Sequence, residues 1–431
     1  LRKGVIDVIT LGCSKNLVDS ERLMKQFAAN GYVVRHEPAK VGGEIVVVNT
    51  CGFIGSAKEE SINTILSLVD AKRQRKIGQL IVMGCLSERY RDELKAEIPE
   101  VDRFYGKFDW KQIVADIGLS YNRLLENERL ISTPNSLAYL KISEGCDRTC
   151  SYCAIPIITG KHRSRSIEDI TSEVENLISQ GVKEFNLIAQ DLTYYGADLY
   201  GKQLIAALVD KIAQIKGVEW LRLHYAYPAK FPKDLLKVIA DNDNVCNYLD
   251  MALQHISDNM LAKMRRNITK TETYDLISEI RSKVPDIHLR TTLMLGHPFE
   301  TEQDFEELKE FVQTIKFERL GAFSYSHEEG TFCDKNYVDN IPFEIKNQRV
   351  SDIMDIQERI AEEHNQNKVG RELKVIIDKK DTDYYIGRTE YDSPEVDGEV
   401  LIKRTKKLKI GNFYNVKITD SQAFDLFGEV I

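Results

Sequence analysis

Residues Gly145-Cys146-Asp147-Arg148-Thr149-Cys150-Ser151-Tyr152-Cys153 hold three thiols in the spacing C-x3-C-x2-C, directly after the apolar, strand-like run Leu137–Ser143. Three thiolates on one short loop can converge on a single metal centre. Cysteine thiolates are the usual ligands of iron–sulfur clusters, which normally take four. With three protein ligands, one iron of a 4Fe–4S cluster keeps a position at which a substrate or cofactor can bind directly. A zinc site with His162 as fourth ligand is one alternative, although zinc ligands usually come as a close pair with a second pair well downstream. A set of buried structural cysteines is another, and the polar neighbours Asp147, Arg148, Thr149 and Ser151 speak against it.

The elements that must position other thiols lie upstream. In the first 130 residues, strand-like runs Val5–Leu11, Glu44–Thr50 and Leu80–Gly84 alternate with helical runs Asp19–Asn30, Ser56–Asp70 and Ser87–Ile98. Short apolar strands separated by amphipathic helices predict a parallel sheet covered on both faces. Each strand ends on a cysteine beside a glycine: Gly12-Cys13, Cys51-Gly52 and Gly84-Cys85. Ligands of open α/β sheets bind at the carboxyl ends of the strands. A single cysteine there is usually a small buried hydrophobe; three at equivalent positions point to a second metal centre.

Ser132-Thr-Pro134 reads as a linker. Beyond it a strand–helix alternation repeats about six times, with strands at Leu137–Ser143, Glu184–Gln190, Trp220–Tyr225, Tyr248–Leu253, His288–Leu295 and Arg319–Ser326. Such an alternation predicts a β/α barrel or an open part of one, with its site at the carboxyl ends of the strands. Gln190 and Gln254 follow the second and fourth strands, where each can bond a ligand or satisfy loop backbone. After the helical run Ile345–Asn367, short strands at Leu373–Asp378, Tyr384–Thr389, Glu399–Ile402 and Phe413–Thr419 predict a small all-β, OB-like barrel. The expected domains are 1–130, 131–365 and 366–431. Cys246 and Cys333 have no partners at ligand spacing and read as structural.

The chain has 431 residues, eight cysteines and a net charge of −8. It shows no signal-peptide pattern and no apolar run near the roughly 18 residues a membrane span needs, so a cytoplasmic location without membrane contact is expected. From Arg371 to Ile431 there are eleven Lys and Arg against twelve Asp and Glu. Phosphate-neutralising modules are clearly basic, so direct RNA binding is disfavoured for this segment. It carries an acidic cluster, Glu390, Asp392, Glu395, Asp397 and Glu399, and a local basic spot at Lys403-Arg404 and Lys406-Lys407, and the module reads as a docking surface for a partly basic protein.

The C-x3-C-x2-C loop with Tyr152 before its last cysteine resembles the signature of radical S-adenosylmethionine (SAM) enzymes. Ala154-Ile155-Pro156 and Gly160-Lys-His-Arg-Ser-Arg165 are similar to the methylthiotransferase branch, with Thr159-Gly160 in place of the usual Arg-Gly pair. Leu11–Glu21 and Asn49–Ile62 resemble its amino-terminal domain, and the last sixty residues resemble its TRAM domain. Leu293–Glu300 and Met251–Arg266 are similar to further family blocks, with His297 where an apolar residue is common.

The resemblance implies two 4Fe–4S clusters and SAM: one cluster on Cys146, Cys150 and Cys153, whose open iron chelates SAM, and an auxiliary one on Cys13, Cys51 and Cys85. It implies cofactor contacts for Tyr152 and Ile155. Arg163 and Arg165 can pair with the SAM carboxylate or form a solvated basic turn. Within the family, Gly12-Cys-Ser-Lys-Asn-Leu17 and the balanced TRAM segment are similar to the type that methylthiolates the β-carbon of an aspartate in small-subunit ribosomal protein twelve, free or on the ribosomal subunit. A SAM-derived radical would abstract the hydrogen, the auxiliary cluster would supply the methylated sulfur, and flavodoxin or ferredoxin would supply electrons. The alternatives are a tRNA methylthiotransferase and, from another class, a two-cluster electron carrier or RNA-binding protein.

Overall fold

The computed structural model describes residues 2–431. Its first sheet contains β1 (Arg2–Thr10), β2 (Val33–His36), β3 (Gly43–Thr50), β4 (Gln79–Gly84) and β5 (Arg103–Phe104), all parallel, in the order β2-β1-β3-β4-β5. Ile45, Val46, Val47 and Val48 are all buried, and they alternate between two apolar cores on opposite faces of the sheet. A strand covered on both faces needs this unbroken apolar run. The three cysteine-bearing strands, β1, β3 and β4, are immediate neighbours.

The second sheet follows β6 (Leu137–Lys141), with the short antiparallel pair β7 (Ser143–Glu144) and β8 (Arg163–Ser164) at its end. It continues through β9 (Glu184–Ile188), β10 (Trp220–Ala226), β11 (Val245–Met251), β12 (His288–Leu295) and β13 (Arg319–Ser324). Six parallel strands in the order β13-β12-β11-β10-β9-β6 form an open barrel wall. The helix Phe343–Gln366 packs on β13 and leads to a closed barrel of β14 (Glu372–Lys380), β15 (Tyr384–Thr389), β16 (Val400–Lys403), β17 (Phe413–Ser421) and β18 (Leu426–Val430).

The small barrel closes the amino end of the large one, and part of its acidic cluster is spent on that contact. Asp392 pairs with Arg319 at 2.5 Å, Asp397 accepts from Tyr248 Oη at 2.8 Å and Arg290 Nε at 3.3 Å, and the Glu390 carbonyl accepts from Arg222. Arg388 reaches back to Glu184 at 2.8 Å, and Tyr391 stacks on His288 at 4.0 Å. Three of the cluster's residues therefore satisfy the barrel's own polar groups, and Glu399 pairs with Lys379 within the small barrel. Buried arginines require such partners; a run of acidic letters does not say whether the partner lies in the same chain.

The other departures are local. The helical run expected from Ser87 to Ile98 breaks at Tyr90 into Cys85–Arg89 and Arg91–Glu97. The sequence reading missed β2, half-exposed and polar at two of its four positions, β5, only two residues long, and β18. Among the described residues no helix is long and apolar enough to cross a membrane.

Candidate functional site

The loop after β6 is tied at several points before any ligand is considered. The β7–β8 pair frames its base, and Cys146 N donates to Gly160 O at 3.1 Å. Ser151 N donates to Met264 O at 3.0 Å, and Cys333 N donates to Ser151 O at 2.8 Å. Burial, with neighbouring Cys150 adding to it, pushes the Cys146 and Cys153 thiols up to about 12.

The second set comes from three strand ends. Cys13 caps the helix Ser14–Ala29, Cys51 follows β3, and Cys85 opens the helix Cys85–Arg89. Gly12 has φ +91°, and a Cβ there would lie 2.8 Å from Cys51 Sγ, so only glycine lets these strand ends close together. Asn16 fastens them: its Nδ2 donates to the carbonyls of Leu11 and Thr50 at 3.0 and 3.1 Å, and its Oδ1 receives Lys107 Nζ at 3.3 Å and Cys85 Sγ at 3.5 Å. Burial pushes Cys51 up and Cys85 up to about 12. Cys13 keeps solvent contact; desolvation would raise it, but the charges of Lys15 and Lys107 prevail and hold it below the usual thiol range.

The two sets face each other. The helix Cys85–Arg89 packs on the helix Ile155–Thr159 just beyond Cys153. Val18 packs between Tyr139 and Ile188 of the barrel. Asp19 binds both Lys107 (2.9 Å) and Lys141, and Lys141 also binds Glu144, two residues before Cys146. On the far side, Lys58 and Arg89 grip Glu328 at 2.9 and 2.8 Å. All of these charges but Lys58 and Glu144 are nearly or fully buried.

Single-ion chemistry does not fit this arrangement. Among the described residues no three His, Cys, Asp or Glu side chains are grouped as ligands of one metal ion. His162, the zinc alternative, instead bonds Ser164 Oγ at 3.0 Å and stacks edge-on against Tyr194. A cluster presents its irons at separate corners, so its thiolates stand farther apart, and three-cysteine sets suit it. Buried polar atoms without partners border the loop: Arg148 Nη2, Gln190 Oε1 and Arg266 Nε. A polar ligand beside the thiols would satisfy them.

Three family descriptions match the sequence: "Uncharacterized protein family UPF0004" over residues 5–106, "Radical SAM superfamily" over 140–312 and "TRAM domain" over 369–431. The "Ribosomal protein uS12 methylthiotransferase RimO" of Porphyromonas gingivalis is 63% identical over 433 residues, covering 100% of both chains. That of Phocaeicola vulgatus is 61% identical over 432 residues with the same coverage. The chain belongs to the RimO family of radical SAM methylthiotransferases. Members of this family use SAM and 4Fe–4S clusters. A solved radical SAM methyltransferase, TsrM from Kitasatospora setae, shares the fold with a TM-score of 0.54 at 13% identity, covering 75% of each chain.

Seen as a RimO-family site, the remaining sequence candidates separate. Tyr152 is half-buried behind the loop, its Oη 3.3 Å from Arg266 Nη1, and Ile155 opens the helix after the loop. Gln190 stands at the end of β9, and Gln254, with φ +74°, bridges to β12. Arg163 is exposed and lies over Phe108. Arg165 is committed elsewhere: it pairs with Glu173 at 2.6 Å and donates to Lys141 O at 2.9 Å, leaving it poorly placed to bind a cofactor carboxylate. The sequence reading took Arg148 only as part of a polar loop and passed over Tyr227 and Arg266, whose side chains reach Cys150 Sγ. Only Arg266 gave a signal, as the last residue of a family-like block.

Proposed function

We propose that this chain methylthiolates the β-carbon of an aspartate in ribosomal protein uS12. The observation that carries the reading is the pairing of two three-cysteine sets on facing loops, in a chain nearly two-thirds identical to proteins named for this activity. In this reading residues 1–130 form the auxiliary-cluster domain, 131–365 the radical SAM core and 366–431 the TRAM domain. Cys146, Cys150 and Cys153 would hold the SAM-binding 4Fe–4S cluster, and Cys13, Cys51 and Cys85 the auxiliary one. When bound, these groups supply one-electron cleavage of SAM and a transferable sulfur, chemistry that no side chain performs.

The chain's own residues bind and orient these groups. Arg148, fixed by Asp191 at 2.7 Å, leaves Nη2 free to meet an anionic group beside the loop, and Gln190 Oε1 remains free to accept a hydrogen bond. Tyr152 and Ile155 would contribute cofactor contacts from the loop and the helix after it, Gln254 from the segment after β11, and Arg163 positive charge. Docking of the amino-terminal domain through Val18, Asp19 and Arg89 holds the two thiol sets at a fixed separation. The reading places the enzyme in the cytoplasm, with flavodoxin or ferredoxin as electron donor and uS12 met free or on the ribosomal subunit.

The test uses anaerobically reconstituted protein, reduced with dithionite and given SAM and purified uS12. Mass spectrometry should find a methylthio gain on one aspartate, with 5′-deoxyadenosine formed alongside. SAM cleavage without that gain would redirect the search to tRNA. Neither product, from protein with its iron complete, would overturn the reading.

A further inference from the structure

Arg266 lies outside every role assigned above, yet it is the side chain most closely engaged with the thiol loop. It is 3% exposed, and its Nη1 lies 3.3 Å from Cys150 Sγ and 3.3 Å from Tyr152 Oη. Its Nη2 donates to Ala252 O, which fixes the plane of the guanidinium. Tyr227 completes the arrangement. The Arg266 guanidinium carbon lies 4.3 Å from the Tyr227 ring centre, and Arg148 lies 4.2 Å from it. Tyr227 Oη donates to Arg266 O at 2.8 Å and lies 3.7 Å from Cys150 Sγ. Nothing acidic bonds Arg266 among the described residues, so this buried cation has sulfur, two phenols and a carbonyl as its surroundings. A buried, permanently charged group needs negative charge nearby, and Cys150, whose sulfur is anionic when it ligates iron, is the only such group its hydrogen bonds reach.

We propose that Arg266 is a positioning residue that orients Cys150 for ligation and raises the reduction potential of the iron–sulfur group held by this loop. The inference rests on the reading of the Cys146 loop given above. Reduction adds one negative charge to the group, and a fixed cation within hydrogen-bond reach of a ligand sulfur stabilises the reduced state. An N–H···S bond acts in the same direction. Tyr227 holds the guanidinium in place through its ring and through its hydrogen bond to Arg266 O.

The test measures the midpoint potential of the full chain by electron paramagnetic resonance during redox titration without SAM. Cys13, Cys51 and Cys85 are replaced by Ala so that only one cluster reports. Arg266→Gln removes the charge and should lower the midpoint so that about tenfold less cluster is reduced at a fixed potential, a shift of about 59 mV for a one-electron couple. Arg266→Lys keeps the charge and should recover most of the shift; Tyr227→Phe keeps the ring against the guanidinium and should move the midpoint far less than Arg266→Gln does. A midpoint unchanged in Arg266→Gln, at unchanged iron content, overturns the role of Arg266 while leaving the loop's reading intact. If Arg266→Gln cannot hold iron, Arg266→Lys decides: recovery of iron and midpoint supports the proposal, and iron loss with both overturns the charge argument in favour of shape alone. A parent chain whose loop takes up no iron defeats the underlying reading, and the role of Arg266 falls with it.

Discussion

The two thiol sets reach similar chemistry by opposite routes. Cys146, Cys150 and Cys153 share one loop, so their separation is set by eight residues of local backbone tied down by Gly160, Met264 and Cys333. Cys13, Cys51 and Cys85 are brought together only when β1, β3 and β4 align in register, and Asn16 then binds two strand ends and approaches Cys85. The first is a device of sequence and the second a device of topology. Their electrostatics differ as well. The loop set is served by arginines, Arg148 and Arg266, which hold their charge at any pH, whereas the strand-end set is served by Lys15 and Lys107.

The strongest way to break the comparison is to remove one ligand from each set. Cys146→Ala and Cys51→Ala should each abolish methylthiolation and each lose roughly half of the bound iron, since each cluster would lack a thiolate. Only Cys146→Ala should also abolish formation of 5′-deoxyadenosine. If Cys51→Ala stopped SAM cleavage equally, the two sets would not have separate tasks. Asp19→Ala comes next. It strips the buried Lys107 of its ion-pair partner and leaves Lys141 with Glu144 alone. Breaking a buried pair in this way costs about 3–5 kcal/mol. Urea denaturation of the iron-free chain should show that loss; a change under about 1 kcal/mol would mean that solvent reaches the lysines.

This contrast also explains what could be read before any coordinates. The loop set is legible as a spacing, and the strand-end set as three cysteines at equivalent places in a strand–helix pattern. The barrel strands were legible too: His288–Leu295 matches its expected limits, and the remaining five share most of theirs. Contacts formed by residues far apart in sequence left no such mark. Arg165 stands in a basic turn next to a cofactor loop, but its partner Glu173 lies one helix away, and Arg22 and Arg129 from elsewhere share that carboxylate. The acidic run after β15 gave no sign of its partners because the arginines that consume it, Arg290 and Arg319, stand 107 and 73 residues before Asp397 and Asp392, in β12 and β13. Arg266 could not be assigned because Cys150 stands 116 residues away.

The smallest effect sharpens the comparison most directly, because it reads the two sets before iron is bound. In iron-free protein the thiolate, and not the thiol, reacts with iodoacetamide. Cys13 keeps solvent contact and is held below the usual thiol range by Lys15 and Lys107, whereas burial holds Cys146 and Cys153 up to about 12. A lowered value means more thiolate at any pH below it, so labelling of Cys13 should be half-maximal at a lower pH than that of free cysteine. Cys146 and Cys153 should label slowly up to strongly alkaline pH. Lys107→Met removes one of the two cations and should move the Cys13 profile back toward that of free cysteine, without accelerating the loop thiols. Peptide mapping of the alkylated chain follows all three sites in one experiment. Equal labelling of Cys13 and Cys146 at neutral pH would show that the lysines do not distinguish the strand-end set from the loop set, and that topology alone separates them.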